Sequence, residues 1–118
     1  MNNLTKQTDI FKALSDKNRL RILKMLQKKS LCVCEITEIL GLAASTVSNH
    51  LSILKETGLI IDKKDKKWIN YQINPNPDDA SVASALMSIL LILEDDEMVK
   101  KDRERIKTIN REVLCAKI

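Results

Sequence analysis

At Leu59 the hydrophobic spacing of this chain changes from helical to alternating, and that switch decides most of what it can fold into. Upstream, Ile36, Ile39 and Leu40 mark one helix face and Val47, Leu51, Ile53 and Leu54 mark a second. Apolar residues three and four apart line one side of a helix. Gly41 breaks the first helix with a tight turn, and Thr57-Gly58 ends the second. Two helices joined by a short glycine-containing turn are the helix-turn-helix pattern. Downstream, Leu59-Ile60-Ile61 is rich in β-branched residues, and Trp68-Ile69-Asn70-Tyr71-Gln72-Ile73 alternates large and polar side chains. Between them lies the polar tip Asp62-Lys63-Lys64-Asp65-Lys66-Lys67. The expectation is a mainly α chain with a small β-hairpin, a winged helix-turn-helix.

The flanks add helices around this centre. One is expected over about Leu4 to Leu14, with Ile10, Phe11 and Leu14 on one face. Ser15 and Asp16 offer cap chemistry for the next, whose stripe is Leu20, Ile22, Leu23 and Leu26, with Lys17, Arg19, Arg21 and Lys24 placed outside. Pro75 and Pro77 close the hairpin, and Asp78-Asp79 suit the start of another helix by charge. That helix, about Asp79 to Leu93, is apolar nearly all round: Val82, Ala83, Leu86, Ile89, Leu90 and Leu93 on one side, Ala85, Leu91 and Ile92 on the other. A domain of 118 residues has no second layer to cover it, so a partner subunit in a two-fold homodimer is expected. The chain thus reads as one domain, 1–118, with a dimerisation helix near 78–95 and a charged C-terminal helix near 96–118, these bounds being approximate.

Charge placement points to a nucleic acid. Twenty Lys+Arg against sixteen Asp+Glu leave a net charge of +4, an excess that permits such a partner without requiring it. Ser45, Thr46, Ser48, Asn49 and His50 gather at the start of the second helix of the pair, where short polar groups suit base edges and phosphates. For His50 a packed, hydrogen-bonded ring is an equal reading. In the hairpin, Lys63, Lys64, Lys66 and Lys67 put cations where a wing meets flanking phosphates of double-stranded DNA. A merely solvated tip is the plainer alternative, and the adjacent helix-turn-helix favours the DNA reading.

The N-terminal residues lack the apolar core of a signal peptide. The richest apolar run, Ala80 to Leu93, is too short for a membrane span and is interrupted by serines. No membrane is expected, and a reducing cytoplasm is. There three cysteines, Cys32, Cys34 and Cys115, serve as ligands or sensors more often than as structural disulfides. Residues two apart on an ideal helix diverge by roughly 200°. Cys32 and Cys34 therefore converge on one ion only where the backbone is extended or the first helical turn opens. A soft ion requiring both sulfurs pulls on the helix that packs against the DNA-reading one. Thiolates without a nearby histidine select arsenite, antimonite, Cu(I) or Cd(II) over hard cations. A trivalent arsenic or antimony centre takes three sulfurs; Cys115 from the same subunit, Cys115 from the other, or a cellular thiol are the candidates for the third.

The stretches Leu31-Cys32-Val33-Cys34-Glu35-Ile36 and Ser45-Thr46-Val47-Ser48-Asn49-His50-Leu51 through Gly58-Leu59-Ile60 closely resemble the ArsR/SmtB family. The likeness also takes in Phe11 to Asp16, Arg19 to Leu23 and Lys67 to Tyr71, about Ile10 to Ile73 in all. The resemblance implies a dimeric winged-helix repressor that leaves its operator on binding toxic metal or metalloid. The Leu-Cys-Val-Cys run is similar to the arsenic-responsive branch, which makes Cys32 and Cys34 ligands of As(III) or Sb(III). Where the best-known members of that branch carry a further cysteine, this chain has Thr37, which leaves Cys115 as the natural third ligand. The N-terminal cysteines of the cadmium/lead branch are missing here. Asp78, Asp79 and Asp95 surround the expected dimer helix without the histidine that the zinc and nickel branches use.

Three rival readings stay open at this point. The thiols sense redox state or persulfide, the winged helix serves protein contacts only, or Cys-x-Cys is an oxidoreductase dithiol. No thioredoxin-like βαβ pattern supports the last, and no enzymatic activity is expected.

Overall fold

The computed structural model describes residues 3–114. Its elements run α1 Leu4–Leu14, α2 Lys17–Leu26, α3 Val33–Leu40, α4 Ala44–Glu56, β1 Ile60–Asp65, β2 Trp68–Ile73, α5 Ala80–Leu90, α6 Glu97–Thr108 and α7 Arg111–Leu114. The architecture is the winged helix-turn-helix expected from the hydrophobic spacing: α3, turn and α4, followed by an antiparallel hairpin.

Each boundary has a local cause. Asp16 caps α2 by accepting from Arg19 N at 3.0 Å. Gly41 adopts φ 68°, and its N–H closes α3 on the Thr37 carbonyl at 2.9 Å; this left-handed end is the conformation glycine reaches without strain. Gly58, at φ 86°, releases the chain from α4 into β1. The hairpin register pairs Ile60 with Ile73 and Asp65 with Trp68, leaving Lys66 and Lys67 as a two-residue turn. The turn is therefore tighter than the expected six-residue tip, and Lys63 and Lys64 lie on β1.

The core gathers one face from each helix: Ile10, Ala13, Ile22, Leu23, Leu26, Leu31, Ile36, Ile39, Val47, Leu51 and Leu54, closed by Leu59 and Ile60 from the hairpin and Val82, Ala85 and Ile89 from α5. Packing each Val, Leu and Ile of this set away from water contributes roughly 1.5–3 kcal/mol before the chain entropy is subtracted.

Three expectations are corrected. Lys24 does not lie outside α2; it is 1% exposed. Its Nζ donates to the carbonyls of Ile89 and Leu90 at 3.0 and 3.3 Å and meets Glu94 at 2.7 Å. Gln27 Nε2 adds a second donor to Ile89 O. These donors satisfy the last carbonyls of α5, so that helix ends at Leu90, not near residue 93 to 95. Nor is the C-terminal region one helix. A turn with Leu93 at φ 64° leads to Asp96, which caps α6 through Val99 N, and a break at Ile109 and Asn110 separates α6 from α7.

The C-terminal elements wrap over α2 and α3. Arg21 grips Asp102 of α6 through two hydrogen bonds of 2.8 and 2.9 Å, and Asp102 is 2% exposed. Arg105 donates to the Ile39 and Glu38 carbonyls, capping the end of α3. From there the chain turns to lay α7 against α3.

Candidate functional site

Ser45, Thr46, Ser48 and Asn49 are exposed on α4, opposite the buried Val47, Leu51 and Leu54. The polar face is therefore free of packing duties and available to a duplex. Ala43, in extended conformation, precedes the helix, and no side chain caps its first turn. Of the two readings offered for His50, the structure has the packed ring rather than a side chain among the exposed polar groups. Its ring is 9% exposed, and Nδ1 lies 3.1 Å from a guanidinium nitrogen of Arg19. Arg19 is itself anchored on the Ala13 and Lys12 carbonyls. The cause is helical spacing: position 50 follows Val47 by one turn and falls beside Leu51 on the buried stripe. Lys63, Lys64, Lys66 and Lys67 are all exposed, the first pair along the strand and the second at the turn.

The thiol site straddles the start of α3. Cys32 is the N-cap, at φ −95° and ψ 169°, and Cys34 lies in the first helical turn. One cysteine is thus on extended backbone and the other on helix, so the ideal-helix divergence of two residues does not apply between them. Cys32 is 2% exposed. Burial foremost pushes its thiol up from the ordinary 9.0, opposed by the Glu35 N–H that points at the sulfur and by the Arg111 charge. Cys34 is partly exposed. It lines a cleft of about 200 Å³ with Val33, Thr37, Glu38, Ala44 and Leu114. That volume is below the roughly 300–1,000 Å³ of organic-ligand pockets. Thr37 Oγ1 has no hydrogen-bond partner among the described residues. Cys115 lies outside the described residues; its chain neighbour Leu114 is in the cleft wall. Among the described residues no three His, Cys, Asp or Glu side chains cluster as a metal site.

Two residues at this site were missed from sequence. Glu35 completes a capping box by accepting from Cys32 N at 2.9 Å, and it is 2% exposed. The Cys32-x-x-Glu35 spacing carried that signal. The same Glu35 oxygen accepts from Arg111 of α7 at 3.1 Å. No local pattern announces that contact, which joins residues 76 apart in the chain.

The start of α3 is also fastened to the wing. Leu31 N donates to Tyr71 O at 3.1 Å, and Tyr71 N to Leu31 O at 2.8 Å. The residue before Cys32 therefore pairs with β2, while α3 packs on α4.

Residues 16–62 match the family model described as bacterial regulatory protein, arsR family. The arsenical resistance operon repressor of Bacillus subtilis (strain 168) is 39% identical over 72 residues, which cover 60% of this chain and 69% of that protein. The chain belongs to the arsR family. The arsenical resistance operon repressor of Escherichia coli (strain K12) is 38% identical over 68 residues, 57% of this chain and 58% of that protein. The chain spans little more than half the length of that relative. The cadmium resistance transcriptional regulatory protein CadC of Listeria innocua is 44% identical over 64 residues, 53% of this chain and 54% of that protein. Among solved structures, the homodimeric winged helix-turn-helix DNA-binding domain Mb0332 of Mycobacterium bovis superposes with a TM-score of 0.60 at 28% identity, covering 73% of this chain and 78% of that one. These arsR-family relatives are transcription regulators rather than enzymes. Among the described residues, no helix is long and apolar enough to cross a membrane.

Proposed function

We propose that this chain is a cytoplasmic, homodimeric repressor of an arsenic- or antimony-resistance operon. It binds operator DNA through the exposed face of α4 and the wing lysines and leaves it when As(III) or Sb(III) is held by Cys32 and Cys34, with Cys115 as third ligand. The observation that carries this reading is the position of the thiol pair. The sulfurs bracket the first turn of α3, the helix that packs on α4, and the preceding residue is bonded to the wing.

The chemistry follows from soft-donor preference. Arsenous acid, As(OH)₃, reacts with a thiol by forming an As–S bond and losing one OH as water, which takes the thiol proton. Two such steps leave one hydroxide on arsenic. A third sulfur, for which Cys115 is the proposed donor, would displace that hydroxide as water by the same exchange. Bringing an N-cap sulfur and a first-turn sulfur onto one atom reshapes that turn, and the ligand's preference for the reshaped state lowers DNA affinity.

Titration of arsenite into the promoter complex of the reduced protein tests this. Cys32→Ser and Cys34→Ser are expected to bind the promoter normally and lose the arsenite response, a coupling typically of about 5- to 150-fold. Cys115→Ser is expected to keep DNA binding and to require more arsenite. Normal release by both Cys32→Ser and Cys34→Ser sinks the assignment.

A second reading keeps DNA binding and makes the partly exposed Cys34 and its neighbour Cys32 a redox or persulfide sensor. Release by oxidant or persulfide, with arsenite inert, selects it. Arsenite-dependent release that Cd(II) reproduces better would move the inducer toward another soft ion.

A further inference from the structure

Arg111 touches two parts of the molecule that the proposed switch has to connect. Its guanidinium donates to the Glu35 carboxylate at 3.1 Å, and its central carbon lies 5.0 Å from the centroid of the Trp68 ring at the start of β2. The Glu35 oxygen it binds is the one that accepts from Cys32 N. Trp68 in turn carries the Lys67 ammonium 4.8 Å from its centroid. A continuous set of contacts therefore runs from the Cys32 backbone through Glu35, Arg111 and Trp68 to a lysine of the wing turn. We infer that Arg111 is a positioning residue of the switch: it holds the first turn of α3 and the wing in one arrangement, so that ligand capture at the thiols displaces the wing as well as the recognition helix. This rests on the reading of Cys32 and Cys34 as the ligand pair.

Physical reasons make the residue specific. Glu35 is nearly inaccessible, and a buried carboxylate depends strongly on its remaining partners. Opening the first turn takes away the Cys32 N–H, which shifts the balance of the Glu35–Arg111 pair at once. A guanidinium is planar, so its edge can bond a carboxylate while its face lies on an aromatic ring. An ammonium is a single point and cannot occupy both places. Lysine at 111 is therefore expected to keep the charge beside Glu35 and to lose the grip on Trp68. The Leu31–Tyr71 bridge supplies a parallel backbone tie, so the loss should weaken the response rather than unfold the wing.

The chain contains one tryptophan, which makes its emission a direct reporter of this contact. Sodium arsenite is titrated into the reduced full chain, and three quantities are followed: thiols consumed, Trp68 emission, and displacement from a fragment of its own promoter. In the wild type all three are expected to share one midpoint. In Arg111→Gln and Arg111→Lys the thiols should be consumed as in the wild type. The emission change should fall by at least half, and the ratio of promoter affinities without and with arsenite should drop at least 5-fold. Arg111→Lys, which retains the charge, keeps the test valid if Arg111→Gln fails to fold. Wild-type release in either folded variant overturns the inference and leaves the thiol assignment standing. Absence of thiol consumption in the wild type overturns the thiol assignment, and with it this inference, before any variant is compared.

Discussion

Lys66 occupies the turn of the wing at φ 58°, a region where a side chain crowds its own backbone. Glycine removes that crowding, so Lys66→Gly is expected to stabilise the fold by about 1 kcal/mol, seen as a rise in thermal midpoint. The same change is expected to lower the slope of promoter affinity against salt by about one charge. Gains in stability with loss of salt dependence would mean that the lysine is kept for the duplex, whereas an unchanged slope would remove Lys66 from the interface. At this scale the sequence was a good guide to which polar side chains of α4 are exposed and to the placement of Cys32 and Cys34 at the start of α3. It left His50 open between a DNA contact and a packed ring, and the packed ring is the one found, flanked by the buried Val47 and Leu51 at helical spacing. It also put Lys24 outside, because a lysine in an amphipathic pattern ordinarily faces water, and nothing nearby reveals the carbonyls of α5.

Elements were legible where their ends are made locally. The Asp16 cap, Gly41 and the change of period at Leu59 are all short-range signals, and the helices and hairpin they bound are present as expected. The end of α5 was not legible, because the apolar pattern runs on to Leu93 while the terminating donors come from α2. Glu94 fastens the turn that follows. Hydrogen bonds from Arg103 and then Lys24 hold its carboxyl at about 2, below the ordinary 4.5. A group lowered on folding contributes its full share above its unfolded value and loses it as the pH falls toward its folded one. Thermal midpoints measured from pH 5 down to pH 2 are therefore expected to fall in the wild type, with that component missing in Glu94→Gln. Matching profiles would show that the ion pairs at this exposed carboxylate are screened away.

As a whole molecule, the described chain leaves a large apolar surface in water. Phe11 of α1 is exposed, as are Met87, Leu90 and Leu91 on and after α5, beside Ile92. A second copy is the proposed cover for these side chains. Met87→Glu places two charges in a two-fold contact and is expected to weaken dimerisation by about 100-fold or more, from roughly 1.5–3 kcal/mol lost per buried side chain. Sedimentation over a concentration series measures it, and an unaltered dissociation constant would put the contact elsewhere. The paired hydrogen bonds between Leu31 and Tyr71 have a consequence for how this molecule can diversify. They clasp the two ends of the stretch that contains α3, α4 and the wing turn, so the proposed reading head is a cassette with both ends pinned at the sensor. On the proposed function the thiol trigger lies inside that cassette too, so sensing and reading segments are inherited as one block.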